Sequence, residues 1–286
     1  MRDPTVNETI EGWWILHRMF AFDRRRWAAL PATERSRLEQ QAAGVLSQLK
    51  NSEETDVGLA QTIGHKSDLM LTHYARSFDG LAEAQVRLDA CEILEYFEQR
   101  DSFVSILELG LYEATGKIHA ALEERGLQRF TPEWNTLFDE MLAQQEQQPR
   151  NAGRLWARIP QRRYVCFYPM DKKRQADDNW YMLPFRERAK MMLDHGKIGR
   201  TFHGLVTQVI SGAIGYDDYE WGVDLYADDP LIFKKLIYEM RFDEASARYA
   251  AFGPFISGLQ FSYEELAAFL NGTGVPALRS PQPAAV

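Results

Sequence analysis

Strand-like apolar runs and amphipathic stretches follow one another along this chain in an order that occurs twice. Residues 11–22, 57–63, 69–76 and 103–112 are strand-length apolar segments, whereas 33–49 and 80–98 carry apolar residues at helical spacing. In the second of these helices the spacing runs through Leu81, Ala84, Leu88, Cys91 and then Leu94 or Phe97. Ser36 followed by Glu39 reads as a capping box in the first. The later part of the chain opens with a strand at 164–170 and a helix at 185–194. Strands at 205–214 and 221–226 follow, then a helix over 230–240 and a last strand at 252–260. Pro230 after Asp228 and Asp229 suits a helix start, where a missing N–H costs nothing and negative charge is favoured. Each half therefore reads β-α-β-β-α-β, the ferredoxin-like plan, and the expected fold class is α+β with two such halves packed into one unit.

Between the halves, residues 113–148 are rich in Glu, Gln, Leu and Ala and predict polar helices, with 149–153 as the linker out of them. The division expected is an N-terminal half over 1–112, a helical insertion and linker over 113–153, a C-terminal half over 154–272 and a tail over 273–286. Ser262 followed by Glu265 predicts a cap for a short final helix ending near Asn271 and Gly272. Pro276, Pro281 and Pro283 mark the tail as disordered.

With 286 residues, 45% of them hydrophobic and 12% aromatic, the chain can bury a large core. A net charge of −8 argues against a nucleic-acid partner, because backbone phosphates require clustered cations. It also makes local cation clusters more telling. Cys91 and Cys166 lie in apolar segments and read as buried thiols, not as a disulfide framework. The apolar start, Trp13-Trp14-Ile15-Leu16, is interrupted by His17 and Arg18, so neither a signal peptide nor a membrane span is read there. A cytoplasmic protein is expected.

Among six histidines, none forms a paired zinc motif. His195 ends the amphipathic run from Glu187 and precedes Gly196, so on position alone it is a helix-end imidazole facing the dipole. Tyr168 alone would be a core tyrosine, and the cations at 172–174 a solvated turn. Met170 and Lys172 lie two and four residues beyond Tyr168, so in an extended segment all three share a face. Arg241 has Glu239, Asp243 and Glu244 at hand for ordinary ion pairs.

Several runs resemble the coproheme decarboxylases, the haem-synthesis branch of the chlorite dismutase-like superfamily. They are Tyr164-Val165-Cys166-Phe167-Tyr168-Pro169-Met170, His195-Gly196 through Gly199-Arg200, and Tyr219-Glu220-Trp221-Gly222-Val223. A fourth run extends from Phe233 to Glu244, and a fifth from Ser246 to Tyr249. The likeness is strong over 154–258 and general before that. It implies a subunit of the dimeric α+β barrel type, a homopentamer, and iron-coproporphyrin III (coproheme) as substrate and redox centre. Hydrogen peroxide is the implied oxidant, haem b the product, and ferrochelatase a transient partner.

By the same resemblance His195 is the iron ligand, with Met191, Met192 and Leu193 as an apolar wall. Tyr168 is the redox residue whose radical takes hydrogen from a propionate. Lys172 and Met170 stand beside the reacting propionates. Arg154, Arg241 and Ser246 hold carboxylates, for which guanidinium groups are well shaped. Gln208 is the distal residue, and a neutral amide there suits the firmicute-type decarboxylases better than chlorite chemistry. Two alternatives stand beside this reading: a chlorite dismutase or haem b peroxidase, and a porphyrin carrier or sensor without turnover.

Overall fold

The computed structural model describes residues 6–279. The first half consists of β1 (Thr9–Phe22), α1 (Arg24–Ala28), α2 (Ala32–Lys50), β2 (Thr55–Thr62), β3 (Leu69–Ala75), α3 (Phe78–Asp89) and β4 (Phe97–Gly110). Three helices intervene: α4 (Tyr112–Glu124), α5 (Pro132–Glu146) and α6 (Pro149–Leu155). The second half is β5 (Tyr164–Lys172), α7 (Phe185–Thr201), β6 (Val206–Gly212), β7 (Trp221–Ala227), α8 (Leu231–Met240), α9 (Glu244–Ala247), β8 (Ala250–Phe252) and β9 (Ile256–Phe261), and α10 (Leu266–Asn271) follows it.

The strands lie in the order β4-β1-β3-β2 in the first half and β9-β5-β7-β6 in the second, the same path twice. β4 joins β6 at one seam and β2 joins β9 at the other, so the two sheets close into a single ring. Closure pairs the edges that each half alone would leave open. Side chains from both halves fill the interior, among them Trp13, Ile15, Phe103, Phe167 and Tyr226. Inside this core the imidazole of His17 on β1 stacks on Phe167 with centroids 4.2 Å apart. Its Nε2 lies 3.0 and 3.1 Å from the two carboxylate oxygens of Asp224 on β7. A fully desolvated pair of this kind is satisfied only when the halves meet in this register.

Strand alternation sends Val165 and Phe167 of β5 inward and Cys166 and Tyr168 outward. Outside, α2 and α3 cover the first half through Leu38, Leu46 and Leu88. In the second half α7 and α8 cover the sheet through Phe202, Phe233, Leu236 and Met240. The insertion helices α4 and α5 share a seam of their own, built on Ile118, Leu122, Trp134 and Phe138.

Local readings needed correction where tertiary contacts prevailed. The helix expected to reach residue 98 stops at Asp89; a 3-10 turn, Glu92–Tyr96, brings Ile93 and Leu94 into the same core by another route. Ser36 lies inside α2, which starts after Pro31 without a side-chain cap, so the capping-box reading fails. The stretch taken for a linker is the helix α6, with Pro149 in its first turn. The last strand is interrupted at 253–255, where Pro254 brings no N–H. Gly253 packs there against Pro169 and Tyr219 so tightly that any Cβ would collide. The tail is not disordered from its first residue. Arg163 Nη1 donates to the Pro276 carbonyl at 2.8 Å, and the Ser262 N–H to that of Ala277 at 3.0 Å. Residues 280–286 of that expectation lie outside the described residues. No helix among the described residues is long and apolar enough to cross a membrane.

Candidate active site

Register decides which side chains share the outer face of β5, β7 and β6. Tyr168 lies opposite Val223, and Val223 opposite Ile210; Cys166, Leu225 and Gln208 form the next row. Met170, Trp221 and Gly212 form the row on the other side. Tyr168 and Gln208 are therefore two strands and one two-residue step apart, about 10 Å across and about 7 Å along at ordinary sheet spacings. A flat ligand of porphyrin size spans that distance.

Helices α7 and α8 lie over this face, and α7 carries His195. The helix does not end at His195, as position suggested; it runs through Gly196 and Gly199 to Thr201, and neither glycine is left-handed. The imidazole is therefore not held by a helix terminus. Its Nδ1 lies 3.1 Å from Asp243 Oδ2 and 3.4 Å from Ser246 Oγ. A carboxylate can only accept, so Nδ1 carries the proton and the lone pair stays on Nε2. Asp243 is itself fixed, because its Oδ1 accepts from the Ser246 N–H at 3.1 Å as the N-cap of α9. This is how a metal-binding imidazole is oriented and made more basic. One turn further on, Gly199 faces Gln208, whose Oε1 lies 3.7 Å from where a Cβ would be, and the Met240 methyl at 3.5 Å. His195 and Gly199, four residues apart, share that side of α7.

Tyr168 is 4% exposed and packs between Phe255, with ring centroids 4.6 Å apart, and Phe252 at 5.7 Å. Burial pushes its phenol well up; Cys166 adds to this and Arg241 opposes it. The Arg241 guanidinium lies 4.3 Å over the Phe252 ring. It has no ion pair among the described residues: the pairs open to it with Glu239, Asp243 or Glu244 do not form, and Asp243 is taken by His195. An exposed cation without a counter-ion next to the tyrosine suits an anionic ligand.

Lys172 shares the face of β5 with Tyr168 but not its surroundings. Its Nζ donates to the Ala245 carbonyl at 2.9 Å and lies 4.4 Å over the Trp180 ring. Burial pulls its ammonium down to about 8, with Asp243 and Glu220 opposing. Met170 is half-buried between them, opposite Trp221 and Phe252. Ser246 lies against the imidazole. Arg154 is exposed on α6, which packs on β1 and β4 rather than against α7, and it too has no carboxylate partner among the described residues. Of the expected apolar wall, Met191 is buried beside Trp180 and Tyr249, and Leu193 is 49% exposed.

Four residues that sequence reasoning did not single out belong to this neighbourhood. Asp243 orients the histidine. Tyr112, at the start of α4, packs against the cluster of Trp180 and stacks on Phe185 of α7 with ring centroids 6.0 Å apart. An Asp followed three residues later by Ser at a helix start was a readable N-cap for Asp243; nothing local marked the other three.

Comparison with known proteins bears on sequence and fold. The family model described as chlorite dismutase matches residues 24–261. Proteins named coproheme decarboxylase from two strains of Thermus thermophilus are each 41% identical over 271 residues, 94% of this chain and 98% of theirs. A solved structure described as a novel heme-binding protein from Thermus thermophilus superposes with a TM-score of 0.79 at 40% identity, covering 94% of this chain and 99% of that one. A chlorite dismutase from Candidatus Nitrospira defluvii superposes at 0.67 with 15% identity over 92% of this chain and 95% of its own, a likeness of fold alone. With its ring of paired ferredoxin-like halves and this extent of similarity, the chain belongs to the chlorite dismutase family.

Proposed function

We propose that this chain is a coproheme decarboxylase, which converts two propionates of iron-coproporphyrin III to vinyl groups and yields haem b, with hydrogen peroxide as oxidant. The observation that carries this is His195, held by Asp243 with its Nε2 lone pair free, on a helix that covers the face bearing Tyr168 and Gln208. A porphyrin iron brings its own nitrogen ligands and needs one more from the protein. The relatives of 41% identity named coproheme decarboxylase support the substrate.

In this reading the chain's residues divide the work. His195 ligates the iron. Arg241 and Arg154 bind propionates. Tyr168, protonated because it is buried, releases an electron and a proton when the complex is oxidised. Its phenoxyl radical then takes a hydrogen atom from the propionate β-carbon and returns to tyrosine. Gln208, an uncharged amide, faces the iron from the sheet side. Lys172 acts on the charge balance from beneath, through Asp243 and Glu220. The protein works in the cytoplasm as a homopentamer and contacts ferrochelatase transiently.

The direct test is to incubate the purified protein with iron-coproporphyrin III and peroxide and follow product mass for two successive losses of carbon dioxide. Turnover of chlorite instead, or tight binding without mass change, would overturn the reading in favour of a dismutase or a carrier. Selectivity gives a further prediction. Coproheme should bind more tightly than haem b, and Arg241→Ala should narrow the gap by about tenfold to a hundredfold, the worth of a charge-assisted hydrogen bond of about 1.5–3 kcal/mol. Spectral titration of both porphyrins checks this. The pH dependence follows from Lys172: its folded value lies near 8, so its charge is present below and lost above. Decarboxylation is expected to fall as pH rises through about 8, and Lys172→Met to remove that limb. A parent profile that is flat through this range would exclude a role for the lysine charge.

A further inference from the structure

A carboxylate pair runs against ordinary sheet practice. Glu11 on β1 and Glu108 on β4 are direct cross-strand partners, a position where like charges are destabilising. Glu11 is exposed and Glu108 half-buried. The β1–β4 register slips just beyond Glu11, and such irregularities re-aim side chains. Glu108 continues the outer face described above, because Ile106, two residues before it, lies opposite Gly212 of β6. Its Oε1 accepts from Trp221 Nε1 at 2.9 Å. Its Oε2 lies over Gly212 where a Cβ would stand, so a larger residue there would displace the carboxylate. Oε2 makes no hydrogen bond among the described residues. Gly212 and Trp221 stand in the row that Met170 completes, so this carboxylate is held at the edge of the face assigned to the substrate.

We propose that Glu108, backed by Glu11 on its solvent side, delivers the proton that decarboxylation consumes. The inference rests on the functional reading above. For each propionate, one carboxylate, one hydrogen peroxide and one proton give one vinyl group, one carbon dioxide and two waters. The two electrons leaving the propionate reduce the peroxide, the C–C bond to the carboxylate breaks, and the β-carbon hydrogen passes through Tyr168. The carboxylate departs as neutral carbon dioxide, so the extra proton has to enter from the protein. Gln208 has no acidic proton to give, Arg241 does not release one, and the Lys172 ammonium is turned to the Ala245 carbonyl and the Trp180 ring. Burial pushes the Glu108 carboxyl up; the Trp221 bond opposes this and Glu11 adds to it. Among the described residues, Glu11 on β1 raises the Glu108 carboxyl further, and Glu108 in turn acts on Tyr112 of α4. A negative charge so placed makes the Glu108 carboxyl harder to ionise.

The test compares the parent, Glu108→Gln and Glu11→Gln. Glu108→Gln keeps the size of the side chain and an acceptor for Trp221. It is expected to bind coproheme within about threefold of the parent, to slow decarboxylation by about a hundredfold, and to flatten the part of the pH profile that belongs to Glu108. Glu11→Gln removes a negative charge and is expected to move that limb to lower pH. In the ligand-free protein, infrared titration should show a carboxyl band that persists above the ordinary glutamate range, is absent from Glu108→Gln, and titrates lower in Glu11→Gln. Native rates and an unchanged pH profile in Glu108→Gln, or a carboxyl that titrates as an ordinary glutamate, would overturn the proposal. Failure of the parent itself to decarboxylate coproheme would overturn the functional reading together with this role, and the infrared titration would still show whether the Glu108 carboxyl keeps its proton above the ordinary glutamate range.

Discussion

Tyr168→Phe is expected to bind coproheme almost as the parent does and to lose decarboxylation. Phenylalanine keeps the ring between Phe252 and Phe255, so the packing of β5 against β8 and α8 survives. The hydroxyl makes no hydrogen bond among the described residues, and even a lost bond would be worth only about 0.5–1.5 kcal/mol. Binding anchored by the iron and by guanidinium groups tolerates that. Turnover does not, because a phenyl ring offers neither a proton nor an electron at accessible potentials. Peroxide added to the variant complex, with mass analysis of the porphyrin, reads the outcome. Both losses of carbon dioxide at the parent's rate would reduce Tyr168 to a core tyrosine. The position of Lys172 sharpens the comparison. Its ammonium is engaged with Ala245 and the Trp180 ring rather than with the tyrosine. Lys172→Ala should therefore slow the reaction without abolishing it, and the pH limb near 8 should disappear with it.

His195→Ala is expected to remove the protein's ligand to the iron and to change the absorption spectrum of the ferrous complex, while His203→Ala leaves it unchanged. His203 is exposed in the turn after α7. Asp243→Asn distinguishes a ligand from a merely buried imidazole. An amide can present its NH2 to Nδ1, which would favour the other tautomer and withdraw the Nε2 lone pair. Loss of an orienting partner of this kind typically lowers metal affinity or activity about 10–100-fold. Equal spectral effects of the two histidine variants would remove His195 from the role of ligand. A native spectrum and affinity in Asp243→Asn would confine the Asp243 contact to capping α9.

The two halves were legible because their order depends on local period. Strands alternate every second residue and helices recur at three and four, so element type and sequence followed from single segments. Boundaries failed where a segment's partner lay elsewhere. The apolar spacing through Leu94 and Phe97 continued past the end of α3 because those side chains return to the same core from a turn and a strand. His195 looked like a helix end because Gly196 follows it, and only the packing of Ile198 and Phe202 on the sheet carries α7 onward. The shared face of Tyr168, Met170 and Lys172 could be read from alternation, but their different neighbours could not. Arg241 could have been an ion pair in any local account; what leaves it unpaired is that His195 holds Asp243.

By itself the sequence determined the repeated element order, the inward and outward sides of β5, and the residue types available for iron, carboxylate and radical chemistry. These are properties of short windows, in which covalent geometry and period leave few choices. Tertiary structure alone decided that the halves close into one ring, that Asp243 turns the Nε2 of His195 outward, and that Gly212 admits a carboxylate beside Trp221. Those outcomes join residues 48, 104 and 113 positions apart. No local preference encodes such distances, and only the packing of strands in a specific register brings the groups together.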